Sequence, residues 1–281
     1  MALTFIPEIW SSLVLSSLKK NMVYAGPGVV NRNYEGEISG AGDTVRIRSI
    51  SRPTISSYAK NATLTYETLT DAQRALVIDQ SKSFSFSVDD IDRVQSPGGE
   101  LEEALIEASY GLRDAADQFV AGLYTGAISA NQIGTVSVTS ADLAYTQIRL
   151  LKQKLDEANV PTEGRFLIIP PWYHSLLLDN SKFVTWSGGG DLAASQGLRN
   201  GMVGRVLGFD TLLSNNVPVV TGDDYAVMAG VPSAITYAEQ ITELETLRLQ
   251  TTFGTGVRGL HVYGAKLIRP DAIATVYASI T

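Results

Sequence analysis

The chain has 281 residues, 44% of them hydrophobic and 18% charged, with a formal net charge of −7. That length fits one large domain or about two ordinary ones with a real core, and a charge fraction below the usual ~25% suits a surface largely covered by partners. No cysteine is present, which excludes disulfides and thiolate metal sites, and residues 1–42 hold only Lys19, Lys20 and Arg32, so no basic arm waits for phosphates.

Positive charge follows the first apolar run instead of preceding it, unlike a signal peptide. No stretch approaches the length of a membrane-spanning helix, so the sequence reads as a soluble cytoplasmic product. Residues 1–42 read as an extended arm. Ile9, Trp10, Leu13, Val14 and Leu18 give one side of a short helix from Pro7 to Lys20, and Gly26-Pro27-Gly28 breaks it. Trp10 and Tyr24 argue against a floppy terminus, because both would be wasted in solvent.

From Asp43 to Lys60, Val45 and Ile47 alternate with Arg46 and Arg48, the period of a strand with one polar face. Thr63 to Leu69 is a second β-rich run. The ribbon so formed lacks an obvious hydrophobic face and is expected to project from the body. Ala75 to Val88 returns to the core, with Phe84, Phe86 and Val88 alternating with serines.

Ser96-Pro97-Gly98-Gly99 precedes a long helix expected to reach Tyr124. Leu101, Leu105, Ala108, Leu112, Ala115 and Phe119 form its apolar stripe, and Glu100, Glu102 and Glu103 sit in its first turn, where the helix dipole favours carboxylates. A second helix is expected from Asp142 to Ala158, capped by Thr139 or Ser140. A buried strand over Arg165–Ile169 and a short helix over Pro171–Leu178 follow. Residues 179–200 read as a loop. Gly201 to Pro218, GMVGRVLGFDTLLSNNVP, reads as a strand, a reversal at a glycine, a second strand and a polar loop. Strands dominate from there to Tyr277.

Chemistry-bearing motifs are sparse. Gly254-Thr255-Gly256-Val257-Arg258-Gly259 matches GxGxxG, but β-like sequence follows where a dinucleotide site needs a helix, so a β-turn is expected. His174 and His261 stand in no metal-ligand spacing. Asp223-Asp224 reads as a solvated turn, Asp89-Asp90-Ile91-Asp92 as a strand-end turn, and the Asn61-Ala62-Thr63 sequon is inert without a secretory route. The clearest charge feature is an asymmetry. Arg46, Arg48, Arg52 and Lys60 leave residues 43–60 at net +3, whereas residues 86–117 hold nine carboxylates, Glu107 among them, against Arg93 and Arg113, a net −7. Complementary surfaces between copies would set register and assembly rate; a solvated ribbon and a solvated helix face are the alternative.

The stretches FIPEIWSSLVL, YEGEISGAGDTVRIRSI, IDQSKSFSFSVDDID, GLRNGMVGRVLGF and VYGAKLIRPDAIA occur in an order that resembles the α+β major capsid fold of tailed phages, named for the Hong Kong phage. The coat-protein branch known from the phages of Salmonella is similar as well. The resemblance implies an N-terminal arm over 1–42, an extended β-hairpin loop over 43–79, and a peripheral domain with a long spine helix over 80–132. An axial domain over 133–238 and return strands of the peripheral domain over 239–281 complete it.

It further implies a non-enzymatic major capsid protein that self-assembles as hexamers and pentamers into an icosahedral shell around double-stranded DNA, without sequence-specific DNA binding, cofactor, metal or membrane. With little basic charge of its own, the shell must have its genome driven in. The expected partners are copies of itself, a separate scaffolding protein (the sequence starts directly at the arm), a portal and a decoration protein. Assembly is expected in the bacterial cytoplasm, with the product in the virion. Arg46, Arg48, Arg52 and Lys60 of the loop, Glu100, Glu102, Glu103 and Glu107 of the spine region, and Trp10 and Tyr24 of the arm are the candidate contact residues. A phage-tail or surface-lattice protein is the alternative, and an enzyme with an unrecognised site a third.

Overall fold

A computed structural model describes residues 22–34, 44–50, 71–89, 100–180, 204–250 and 253–280, and the single positions Ile55, Ser57, Lys60 and Tyr66. The helix expected over Pro7 to Lys20, Trp10, Arg52, the sequon and most of the 179–200 loop lie outside the described residues.

Eleven strands and three α-helices occur among the described residues. In chain order they are β1 (Thr44–Ile50), β2 (Asp71–Val77), β3 (Gln80–Asp89), α1 (Glu100–Ala121), β4 (Gln132–Ser137), α2 (Ala141–Glu157), β5 (Arg165–Ile169) and α3 (Pro171–Leu178). Then come β6 (Arg205–Val206), β7 (Phe209–Leu213), β8 (Tyr225–Gly230), β9 (Ile235–Arg248), β10 (Gly254–Leu267) and β11 (Ile273–Ser279). They form a two-stranded ribbon β1-β2, a three-stranded sheet β3-β10-β9 and a six-stranded sheet β4-β11-β8-β5-β7-β6.

The ribbon is antiparallel, with Thr44 opposite Val77 and Ile50 opposite Asp71. Its return strand is Asp71–Val77 rather than the β-rich run expected at Thr63 to Leu69, and the single core strand expected over Ala75 to Val88 is broken between Val77 and Gln80. The three-stranded sheet is antiparallel throughout. Gly254 to Gly259 lies within β10, so the expected turn there is corrected to a strand. The six-stranded sheet is mixed: β4 runs parallel to β11 and β5 parallel to β7, while β8 is antiparallel to both β5 and β11. The C-terminal segment consequently divides. β10 pairs beside β3, but β11 is a strand of the six-stranded sheet, so 239–281 does not return as a whole to the unit built on α1.

Helix α1 spans 22 residues, roughly 33 Å at 1.5 Å per residue. It stops at Ala121 and tightens into a 3-10 turn through Gly126, which carries the chain past the expected end at Tyr124. Its buried stripe is Leu105, Ser109, Leu112, Ala116 and Val120, about one position round from the stripe expected; Ala108, Ala115 and Phe119 are only half-buried. It lies over β10, where Phe119 meets Tyr263 edge to face at 5.6 Å between ring centres.

Helix α2 buries Ala144, Ile148, Leu151 and Leu155. The Ser140 hydroxyl accepts from Leu143 N at 3.3 Å and caps its start. At its end, Asn159 adopts φ 55°, and the amides of Asn159 and Val160 donate to the carbonyls of Asp156 and Leu155, closing the helix by the Schellman pattern. The buried Arg165 guanidinium donates to the Val160 and Pro161 carbonyls and pairs with Asp156 at 2.7 Å, fastening β5 to that terminus. The glycine reversal in GMVGRVLGFDTLL is present. Leu207 and Gly208 both have positive φ, the arrangement that a two-residue hairpin between β6 and β7 requires. The strand before it is shorter than expected, beginning at Arg205.

Candidate assembly surfaces

Residues 22–34 form a strap laid on the body. Val23 N and Ala25 N each donate to the Asp117 carboxylate of α1 at 3.0 Å. Further on, Asn31 N donates to Ile235 O at 2.8 Å and Tyr237 N to Asn31 O at 3.0 Å, so the strap joins β9 through a single parallel bridge at Thr236. Tyr24, Ala25 and Val29 are fully buried. Tyr24 thus sits in the core of its own chain and presents no face to a neighbouring copy. Asp117 is buried; burial pushes its carboxyl above the ordinary value, against the opposing hydrogen bonds from the strap amides.

Among the described residues, the ribbon docks at its base. Leu76 and Ile78 are fully buried and cluster with Ala238 and Val262, with Tyr34, Leu260 and Ile268 packed against them. Lys266 Nζ donates to Ala75 O at 2.7 Å. Gly264 permits this approach, because a Cβ there would stand 2.5 Å from Val77 O and 3.0 Å from Ile78 Cα. Beyond the base, Arg46 and Arg48 lie opposite Ala75 and Gln73 in the ladder. Farther out Lys60 is exposed, and the apolar Ile55 and Tyr66 stand 88% and 95% exposed.

The acidic residues occupy the start of α1: Glu100 opens it, Glu102 and Glu103 fall in its first turn, and Glu107 is exposed in the second. Beside Glu107, Ile106 and Tyr110 are each 56% exposed, and the Arg113 guanidinium stacks on the Tyr110 ring at 4.4 Å. Among the described side chains, α1 thus exposes a carboxylate, Glu107, beside two apolar residues, Ile106 and Tyr110. Near its other end, Asp114 accepts from Asn216 Nδ2 at 2.8 Å, tying the polar loop after β7 to α1. Sequence reading missed Asp117 and this Asn216 link, since both join residues about a hundred positions apart.

A shallow depression lined by Ser83, Glu245, Arg258, Gly259 and Leu260 encloses about 100 Å³, below the ~300–1,000 Å³ of ligand sites. Among the described residues, no three His, Cys, Asp or Glu side chains are placed to hold a metal, and no helix is long and apolar enough to cross a membrane. His174 is buried on α3, and burial lowers its pKa; His261 is fully buried in β10.

A projecting ribbon, a long helix over a three-stranded sheet and a separate mixed sheet make a subunit shaped to be covered. The model of the family described as "Phage capsid protein" matches residues 72–276. The chain belongs to that family. Among solved structures, this capsid protein is similar to a chain of Mycobacterium phage Che8, at 32% identity over 91% of each chain and a TM-score of 0.72. In fold it is similar to the capsid of the cyanophage P-SCSP1u, at 18% identity over 94% of this chain and 90% of that one, with a TM-score of 0.73. The mature capsid of bacteriophage PhiM1 is similar too, at 17% identity over 84% and 82% of the two chains, with a TM-score of 0.63. No curated protein matches the sequence. The α+β fold is thus of the Hong Kong 97 type, and the capsid protein is a major, shell-forming one that associates with copies of itself in the virion.

Proposed function

We propose that this capsid protein encloses the double-stranded DNA of a tailed phage in an icosahedral shell of hexamers and pentamers, in which the ribbon of each copy lies across the acidic face of α1 on a neighbour. The carrying observation is the pairing of an exposed basic and apolar ribbon with an exposed acidic and apolar helix on one chain: Lys60, Ile55 and Tyr66 on the first, Glu107, Ile106 and Tyr110 on the second. Arg46, Arg48, Arg52 and Lys60 then meet Glu100, Glu102, Glu103 and Glu107, and the apolar side chains supply the burial that ion pairs alone do not. Each such contact is modest; a closed shell multiplies it.

In this reading 1–42 is the arm, with Trp10 reaching a neighbour, and 43–79 the extended loop. Residues 80–132 with β9 and β10 form the peripheral unit, and 133–234 with β11 the axial one. The protein has no catalytic role. A separate scaffold, a portal and a decoration protein act on it in the bacterial cytoplasm, and the order of its elements resembles the branch known from the phages of Salmonella. Arg46→Glu with Arg48→Glu tests the contact. Circular dichroism of the variant should match the parent while closed particles vanish from electron micrographs; normal particles would refute the ribbon's role.

A further inference from the structure

Four ionisable side chains, Arg32, Glu239, Tyr237 and His261, meet inside the subunit where the strap, β9 and β10 converge. Arg32 of the strap forms an ion pair with Glu239 of β9. The Tyr237 hydroxyl donates to the other oxygen, Glu239 Oε2, at 2.7 Å, and His261 Nε2 of β10 stands 3.4 Å from it. The side chains of Glu239 and His261 are 1% and 0% exposed. Arg32 also covers the Tyr237 ring at 5.1 Å, and the His261 ring lies 5.0 Å from that of Tyr263. A carboxylate buried this deeply is tolerated only with such partners.

The placement of Glu239 gives it leverage. Among the described residues, the strap meets β9 through one bridge, at Asn31, and Arg32 is the next residue. Its other attachment, Asp117 with the buried Tyr24, lies on α1. The two ends of the strap therefore hang on two separate carboxylates.

We propose that Glu239 is a catch for the strap: its charge, shared by Arg32, Tyr237 and His261, pins Asn31 and Arg32 to the sheet, and removing that charge frees this end while both sheets stay folded. The groups facing it are Arg32 from the strap, Tyr237 from β9, and His261 and Tyr263 from β10, with Asp79 acting on Tyr263. Burial opposes ionisation of Glu239, but the His261 ring, the Arg32 guanidinium and the Tyr237 hydroxyl together outweigh it and hold the carboxyl below its ordinary value of 4.5. A carboxyl depressed in this way stabilises the docked strap above pH about 4.5, and that contribution is lost as pH falls through the folded-state value. The catch is thus closed at neutral pH and opens in acid.

Hydrogen–deuterium exchange on the unassembled full chain tests it, read as protection factors at the Asn31 and Tyr237 amides against Leu167 and Ile168 of β5. In Glu239→Gln and in Arg32→Met, protection at the first two should drop at least about tenfold with β5 unchanged. The double variant should lose no more than the worse single one. In the parent, Asn31 and Tyr237 should lose protection at a higher pH than β5 does. Parent-like protection in Arg32→Met, or an equal loss across β5 in either variant, would overturn the proposal.

Discussion

Tyr24 shows how much a single side chain can belong to a subunit that sequence assigns to an appendage. It is fully buried, and its hydroxyl has no hydrogen-bond partner among the described residues. The ring and the hydroxyl therefore act in opposite directions. Tyr24→Ala should lower the stability of the unassembled subunit by ~3–5 kcal/mol, the usual cost of deleting a buried aromatic ring. Tyr24→Phe should be neutral or stabilising by up to ~1–2 kcal/mol, because an unsatisfied buried hydroxyl is removed. Urea denaturation of the two variants separates the effects through their midpoints. Asp117, by contrast, earns its burial: two strap amides would be orphaned without it. Its carboxyl is shifted up by burial where that of Glu239 is shifted down by its partners, so the stability linked to Asp117 is lost as pH rises through its folded-state value, whereas that linked to Glu239 is lost as pH falls through its own.

At the scale of elements, the ribbon's direction is fixed where it leaves the sheet. β2 passes over β10 at Gly264, with no room for a side chain. Gly264→Val should cost ~1–3 kcal/mol through overpacking against backbone that cannot step aside, and it should raise exchange of the Leu76 and Val77 amides above that of β5. Local signals made much of this architecture legible. Ser140 and Pro161 bracket α2 because caps and breakers act over a few residues, and Leu207-Gly208 marks a hairpin because its turn demands positive φ. Gly254 to Gly259 misled because glycine signals a turn only when nothing crowds the strand. Gly256 instead makes room for the Leu249 side chain, whose Cδ2 would lie 3.1 Å from a Cβ. The buried phase of α1 was legible to within one position, since Ser109 and Asp117 take places that the sequence pattern reserves for apolar side chains. Glu239 carried a faint signal: it stands in period-two phase with the buried Ile235 and Tyr237, where a carboxylate is out of place. What it pairs with lies 207 residues away, beyond the reach of any local pattern.

The whole molecule combines a well-anchored interior with a ribbon and a helix face that expose apolar and charged residues. The strap is held at both ends, the two larger sheets share one continuous core, and the ribbon and the outer face of α1 keep apolar residues in solvent beside opposite charges. If the ribbon packs on a neighbour as proposed, the subunit should gain further stability on assembly, when contacts absent from the free chain form. The most direct measurement is a cryo-electron microscopy map of the assembled shell in which individual chains can be traced. The ribbon of one copy should cross α1 of the next, with Lys60 near Glu107 and Tyr66 covered; a ribbon folded back on its own α1, or left bare in solvent, would contradict the account.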